Sequence, residues 1–232
     1  MKTYKAFWYV SAIVLILGTG FALIYTGSVF TKKAEIYTLR FAEGSGVWWS
    51  DTQSRLARER DLYAKHNLQV VSFSVATGLE SKNAVVQGNA DVGIVASAPL
   101  VNSASKNEEV IVLGSYMQSS ELLSLVARER VYDRWWEQPI GYVPGTISEF
   151  YLFSYLKAKG LEDLYLSKKL NLVALTPSGI PTTFAKEDVG VAVIWEPFAS
   201  QMKEAGVIAE ALPNAYTLRT YIITSKDAWE QR

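Results

Sequence analysis

The sequence contains no cysteine, which excludes disulfide bonds, thiolate zinc sites and cysteine nucleophiles. Histidine is nearly absent too, since His66 is the single one. Histidine-rich metal sites are therefore excluded, and a histidine-based catalytic triad could use only His66. An excess of positive charge is also missing, because Lys+Arg and Asp+Glu are balanced at 23 each. This balance argues against a large nucleic-acid-binding surface. We therefore expect no catalytic residues, no metal, no cofactor and no nucleic-acid partner.

The N-terminal segment is an apolar run that stands apart from the rest of the chain. Residues 6–30 contain no charged side chain, and about 20 such residues span a bilayer. A cleaved signal peptide would have a shorter apolar region and a small-x-small cleavage site. No convincing site of this kind precedes Lys32 and Lys33. Residues 1–31 are thus a signal anchor or a signal peptide, and the length of the run favours an uncleaved transmembrane anchor.

From residue 36 onward, short apolar strands alternate with helix-like segments, in a chain that is 49% hydrophobic and 20% charged. This βαβαβα order predicts an α/β fold with parallel-rich sheets and helices on both faces. We predict a first unit at 36–128, a second at 129–216 and a return segment to the first at 217–232. The predicted strands are 36–42, 68–75, 90–96, 110–117, 122–128, 140–143, 172–175, 189–194, 207–211 and 218–224.

Small and aromatic residues follow the predicted strands, where ligands bind in open α/β sheets. Glycine, serine and threonine leave room and expose backbone N–H groups, and aromatic rings supply flat apolar walls. This combination is typical of a binding cleft rather than of a catalytic site. The candidate ligand-binding residues are Ser45, Gly46, Trp48, Trp49, Thr77, Ser97, Tyr116, Gly145, Thr146, Ser148, Trp195 and Glu196.

The sharpest local pattern lies at 144–149, where a strand passes through a glycine turn into a helix N-terminus. Free N–H groups there attract an anion or an acceptor oxygen. We expect either Thr146 or Ser148 to cap this helix, which leaves the other open as a ligand contact.

The aromatic candidates each allow two interpretations. At least one of Trp48 and Trp49 is expected to stack on a planar ligand, the alternative being one ring in the core and one at the surface. Trp195 either lines the cleft or packs between strand and helix. The carboxylate of Glu196 needs a partner if it is buried, either a ligand amine or a basic side chain of the fold.

Four motifs resemble one family when taken in order. They are Gly-Tyr-Val-Pro-Gly-Thr at 141–146, Asp-Leu-Tyr-Ala-Lys-His-Asn-Leu at 61–68, Gln-Gly-Asn-Ala-Asp-Val-Gly-Ile at 87–94 and Val-Ala-Val-Ile-Trp-Glu-Pro-Phe at 191–198. Each motif is weak alone, but their order and spacing resemble the nitrate/sulfonate/taurine and thiamine-precursor (pyrimidine) binding family of ABC importers. The resemblance covers about residues 39–224.

The resemblance implies a two-lobed type 2 periplasmic-binding fold. It also implies a protein that delivers a sulfonate, nitrate or pyrimidine-like solute to an ABC permease and its ATPase. The expected location is the periplasmic or extracytoplasmic face of the bacterial cytoplasmic membrane, with the N-terminal helix as anchor. The alternative is a membrane-tethered sensor that signals to a partner protein. Members of this family continue beyond the helix that begins near Ser225, so we expect a C-terminally shortened or partial chain.

The charge of the ligand stays open at this level. Helix N-termini at Thr146 and after Ser97 favour an anion, whereas the carboxylates of Glu196, Glu149 and Asp51 favour a cationic or neutral amine-bearing ligand. Because tryptophan-rich walls suit an organic body better than a bare oxyanion, we expect a small organic solute.

Overall fold

The computed structural model describes residues 35–44, 48–203, 207–210 and 216–231, the side chains of 48–51 and of 203 excepted. The anchor expected at 1–31 lies outside these residues. Within the described part of the chain, no helix is long and apolar enough to cross a bilayer. The helices and strands given below all belong to the compact unit Tyr37–Arg232.

The elements follow the alternation that the sequence predicts. The strands are β1 (Tyr37–Gly44), β2 (Leu68–Val75), β3 (Val92–Ala96), β4 (Val110–Ser119), β5 (Leu123–Arg128), β6 (Ile140–Tyr142), β7 (Leu172–Ala174), β8 (Val191–Trp195), β9 (Val207–Glu210) and β10 (Leu218–Ser225). The α-helices are α1 (Trp48–Glu59), α2 (Leu62–Lys65), α3 (Gly78–Val86), α4 (Ser97–Ser105), α5 (Ile147–Ala158), α6 (Glu162–Leu166), α7 (Gly179–Ala185), α8 (Phe198–Lys203) and α9 (Lys226–Gln231). A 3-10 helix spans Glu129–Glu137.

The described strands form two five-stranded sheets of matching topology. The first has the order β2-β1-β3-β10-β4 and the second the order β7-β6-β8-β5-β9. In each sheet the first three strands in this order are parallel, and the fourth runs antiparallel to its neighbours. The fourth strand is β10 in the first sheet and β5 in the second. Each sheet with its helices is called a lobe below.

The chain crosses from the first sheet to the second between β4 and β5, and it returns between β9 and β10. Strand β5 therefore pairs with β8 and β9, although the sequence placed residues 123–128 in the first unit. An apolar run identifies a strand but not its partners, because pairing depends on segments far away along the chain. The sequence pattern also did not predict the short helices α6 and α7.

The larger hydrophobic core lies mainly in the second lobe and includes Leu218 of β10. Strand β8 is buried at every residue, and β5 at all but its last, as expected for near-continuous apolar strands between two layers. Helix α5 packs Tyr151, Leu152 and Tyr155 against them. The first lobe has a smaller buried cluster. It comprises Ala42, Val85, Ala90, Val95 and Ile223.

A carboxylate holds the edge strand β9 on the second lobe. Glu210 accepts hydrogen bonds from the hydroxyls of Tyr132 and Tyr155, and Lys159 Nζ lies 3.4 Å from its Oε1. Burial raises the pKa of the Glu210 carboxyl, but the two tyrosine hydrogen bonds and Lys159 outweigh burial and hold that pKa below its usual value. Because the folded pKa is lowered, these contacts stabilise the fold above the unfolded pKa of about 4.3 and are lost as the pH falls through the folded pKa.

We expect Glu210→Gln to cost about 1 kcal/mol at pH 7, since a hydrogen bond to a charged acceptor is stronger than one to a neutral acceptor. This difference from the parent chain should shrink as the pH is lowered from about 5 to about 3. Urea unfolding across this range measures it. Glu137→Gln is the control, because Glu137 pairs with Arg134 in an exposed i,i+3 contact. A pH-independent difference would contradict the expectation.

Candidate functional site

A cavity of about 70 Å³ lies between the two sheets, at the edge where their parallel strands end. This is the position at which open α/β sheets bind ligands. Since one water molecule takes about 30 Å³ in the liquid, the cavity has room for a small solute or for one end of a larger one. The lining residues are Gly44, Ala76, Thr77, Gly78, Leu79, Ile94, Val95, Ala96, Pro99, Thr146, Ile147, Trp195, Leu218 and Thr220.

The wall of this cavity is apolar apart from three threonines. Among the described residues, no acidic or basic side chain lines it. Helices α3, α4 and α5 begin at its edge, so their first backbone N–H groups and the positive ends of their dipoles lie next to it. Within the described part of the chain, the cavity therefore offers hydrogen-bond donors and an apolar surface, but no charged side chain.

Helix α3 begins with a capping box. Thr77 Oγ1 accepts a hydrogen bond from the Glu80 N–H at 3.1 Å. The Glu80 carboxylate reaches back and accepts from the Ala76 N–H at 2.9 Å. Such an arrangement satisfies orphan donors at a helix start. Thr77, predicted as a ligand contact, thus lines the cavity and caps the helix.

Helix α5 repeats this arrangement in the second lobe. Thr146 Oγ1 accepts from the Ser148 N–H at 3.2 Å, and Glu149 Oε2 accepts from the Gly145 N–H at 2.7 Å. The other Glu149 oxygen accepts from the Tyr165 hydroxyl at 2.7 Å. Burial raises the pKa of Tyr165, and the hydrogen bond to the Glu149 carboxylate raises it further. The sequence left open whether Thr146 or Ser148 caps α5, and the cap is Thr146.

Ser148 joins two strands of the second sheet. Its hydroxyl donates to the Val193 carbonyl of β8 at 2.6 Å and accepts from the Val143 N–H at the end of β6 at 3.1 Å. The residue is fully buried. Both hydrogen-bonding roles of this predicted ligand contact are thus taken within the protein, and the side chain fixes α5 against the sheet.

Ser81 has the equivalent role in the first lobe. Its hydroxyl donates to the Ala42 carbonyl of β1 and accepts from the Ile94 N–H of β3, both at 2.9 Å. Position 93 must be glycine next to it, because a Cβ there would lie 2.4 Å from Ser81 Oγ. Each lobe therefore uses one buried serine to bind its helix to two parallel strands.

Of the three threonines in the cavity wall, Thr220 is the one that the sequence did not predict as a site residue. It lies in β10 opposite Ala96 of β3, beside a register shift in the pairing of β10 with β4. The residue is 3% exposed, and its Oγ1 has no hydrogen-bond partner among the described residues. A buried hydroxyl without a partner costs about 1–3 kcal/mol. Nothing in the predicted strand 218–224 marks this threonine, since its importance comes only from its position at the cavity.

The two lobes touch at Gly145. Its φ of 69° is in the left-handed region that favours glycine. A Cβ at this position would lie 3.0 Å from Cδ2 of Leu79, which belongs to the first lobe and lines the cavity. Gly145, a predicted site residue, thus permits the close approach of the lobes.

We expect Gly145→Ala to lower the free energy of unfolding by about 1–2 kcal/mol because of its positive φ, and to weaken solute binding because the new methyl group crowds Leu79 in the cavity wall. Thermal unfolding and titration calorimetry measure the two effects. Gly160→Ala is the matched control: φ is 70° there, but nothing lies within 4 Å of the new Cβ. It should cost similar stability and leave binding unchanged. Equal binding by both variants would refute the role of this contact.

The side chains of Trp195 and Glu196 lie in different surroundings although the two residues are neighbours in sequence. Trp195 is buried at the end of β8 and lines the cavity, so both of the interpretations offered for it, cleft wall and packing, apply. The Glu196 carboxylate accepts from the Ser200 N–H at 2.9 Å in the first turns of α8. Its side chain is a helix contact and is not part of the cavity lining.

Ser97 and Tyr116 lie outside the lining. The Ser97 hydroxyl at the start of α4 bonds to the Tyr216 hydroxyl, and the Tyr216 ring packs edge-on against Phe150 of α5 with centroids 5.0 Å apart. Ser97 thus links the lobes through Tyr216. Tyr116 is the extra residue of β4 at the register shift beside Thr220, and its carbonyl accepts a 3.4 Å hydrogen bond from Gln53.

The remaining candidates follow β1, whose last residue Gly44 lines the cavity. Ser45 and Gly46 lie outside the described residues. Trp48 and Trp49 form the first turn of α1, with no description of their side chains. The stacking predicted for them therefore stays a prediction.

The comparisons with known proteins agree with this geometry. No protein-family model matches the chain. A protein of Brucella abortus (strain 2308) described as a binding protein is 22% identical over 157 residues, which are 68% of this chain and 48% of that protein. The chain thus spans about half the length of the curated relatives it matches.

Two solved structures resemble it more extensively. The periplasmic aliphatic sulphonate binding protein SsuA from Escherichia coli has a TM-score of 0.68 at 16% identity, over 84% of this chain and 67% of that one. The alkanesulfonate-binding protein SsuA from Xanthomonas axonopodis pv. citri, bound to MOPS, has a TM-score of 0.69 at 15% identity, over 85% and 68%. The fold is that of the periplasmic binding proteins. The two-lobed α/β architecture expected from the sequence motifs is confirmed, and within this periplasmic-binding fold the cavity described above is the gap between the lobes.

Proposed function

We propose that this chain is an extracytoplasmic solute-binding protein that holds a small organic solute between its lobes and delivers it to an ABC importer. The observation that carries the proposal is the cavity at the ends of both sheets, with the unpartnered Thr220 hydroxyl in its wall. Buried polar groups are nearly always hydrogen-bonded. A solute with a polar group gives Thr220 the partner that it lacks within the protein.

Thr77, Trp195 and Thr220 are the side chains we propose as solute contacts. The Thr77 hydroxyl accepts from the backbone of α3 and keeps its own proton to donate. The Trp195 ring supplies the flat apolar wall that small-molecule sites use to hold an organic body.

Backbone around Gly145 and Thr146, and the segment 45–49 that follows β1, complete the proposed site. The first segment is part of the contact between the lobes, and the second continues from Gly44 in the cavity wall. Ser97, Ser148 and Glu196 make hydrogen bonds within the fold, so their side chains are left out of the proposed contacts.

Delivery to an ABC permease and its ATPase rests on the four sequence motifs that resemble a binding family of ABC importers, together with the likeness to sulfonate-binding proteins. We further propose that residues 6–30 anchor the chain in the bacterial cytoplasmic membrane, with the lobes on the periplasmic face. The support for the anchor is the absence of charge along this run, which exceeds the length a bilayer requires.

The test is a solute screen on the purified full chain in detergent, with thermal unfolding as the first readout and titration calorimetry as the second. Alkanesulfonates, nitrate, and small amides and pyrimidines form the panel. A bound solute at a concentration one hundred times its Kd stabilises the fold by about 2.7 kcal/mol. Saturable binding of one class with a stoichiometry near one supports the proposal, whereas a folded sample that binds nothing in the panel counts against it.

A further inference from the structure

We propose that the cavity selects an uncharged solute over an anion of the same shape, and that the capping carboxylates of Glu149 and Glu80 impose this selection. The inference rests on the proposed solute-binding function and deepens it by naming the class of solute. The selection depends on the electric potential at the cavity, and the carboxylates of the two capping boxes make that potential more negative.

The first step is the absence of a fixed positive side chain. Among the described residues, neither lysine nor arginine lines the cavity. An anion held there would have to be stabilised by backbone N–H groups, helix dipoles and hydroxyls alone.

The second step is that carboxylates already occupy two of the three helix N-termini. Glu149 accepts from the Gly145 N–H at 2.7 Å, and Glu80 accepts from the Ala76 N–H at 2.9 Å. Each N-terminus carries about half a positive charge, and the two capping carboxylates oppose it directly, Glu149 from a half-buried position and Glu80 from an exposed one. They also take N–H donors that an oxyanion would need.

The third step identifies what the cavity still offers. The first turn of α4 contains no acidic residue, and its N-cap Ala96 makes no side-chain hydrogen bond. Thr220 contributes a buried hydroxyl that has no partner within the described structure. These groups suit a neutral acceptor such as an amide or sulfonyl oxygen. The apolar remainder of the wall suits an uncharged body, because burying an unpaired charge costs far more than burying a dipole.

The experiment compares two probes of nearly equal shape that differ in charge, propane-1-sulfonamide and propane-1-sulfonate, by titration calorimetry of the full chain at pH 7. We expect the sulfonamide to bind at least about tenfold more tightly. A sulfonate that binds as well or better overturns this inference and leaves the solute-binding function standing. If neither probe binds, the inference is contradicted, and the solute panel described above decides the proposed function separately.

Glu149→Gln tests the mechanism, because glutamine keeps an acceptor oxygen for the Gly145 N–H and removes only the charge. The ratio of sulfonate to sulfonamide affinity should rise about three- to tenfold. Glu80→Gln is the parallel variant in the first lobe and should shift the ratio in the same direction. Glu109→Gln is the matched control, since Glu109 pairs with Lys226 and is not part of the cavity lining. An unchanged ratio in both capping variants, or an equal shift in the control, overturns the inference.

Discussion

Thr220→Val is expected to make the protein more stable and a poorer binder at once. Valine has nearly the shape of threonine and lacks the hydroxyl that is buried without a partner. Its removal should raise the free energy of unfolding by about 1–2 kcal/mol. If the solute hydrogen-bonds to this hydroxyl, its affinity should fall about tenfold or more, since a lost hydrogen bond in a buried site is worth about 1–2 kcal/mol. Denaturant unfolding and calorimetry give the two numbers.

Thr224→Val is the control on the same strand. The Thr224 hydroxyl is also buried, but it donates to the Asp91 carbonyl at 2.7 Å. Its removal leaves that carbonyl without the bond, so the variant should lose about 1 kcal/mol of stability and keep its affinity for the solute. Opposite signs of the stability change at two threonines four positions apart are difficult to explain by strand propensity. A Thr220 variant that is destabilised and binds normally would remove the main support for the proposed site.

Ser148→Ala is expected to cause the largest loss of stability among these variants. The change leaves the Val193 carbonyl and the Val143 N–H buried without the partner they share. Two buried backbone groups without hydrogen-bond partners cost about 2–5 kcal/mol together. The part of the sample that remains folded should bind the solute with nearly the parent affinity, because the hydroxyl serves the fold. Unfolding curves and calorimetry corrected for the folded fraction separate the two effects.

Ser154→Ala is the comparison on the same helix, where the hydroxyl donates to the Phe150 carbonyl near the surface. It should change stability by less than about 0.5 kcal/mol. Ser81→Ala should behave like Ser148→Ala, since Ser81 links the equivalent strands of the first lobe. A Ser148 variant that keeps full stability but loses affinity would instead make this serine a solute contact, as its sequence position after a glycine turn predicted.

Local sequence patterns predicted some of the residues that line the cavity and failed for others. Thr77 and Thr146 were found because each follows a predicted strand, at the edge where open α/β sheets bind ligands. Trp195 was found because it ends an apolar strand. Glu196 was selected by the same rule, but its carboxylate accepts a hydrogen bond from the Ser200 N–H. The side chains of adjacent residues at a strand end point in different directions. The packing of α8 decides that the Trp195 side chain, and not that of Glu196, lines the cavity.

The sequence by itself determined the alternation of strands and helices, the glycine turns that start α3 and α5, and the absence of thiol and histidine chemistry. These properties depend on residues close together in the chain. The tertiary structure alone decided that β5 joins the second sheet, that the Ser148 hydroxyl bonds to two strands, and that Thr220 lies in the cavity wall. Each of these depends on which distant backbone comes within hydrogen-bond reach, and that is fixed by the pairing of strands from segments far apart along the chain.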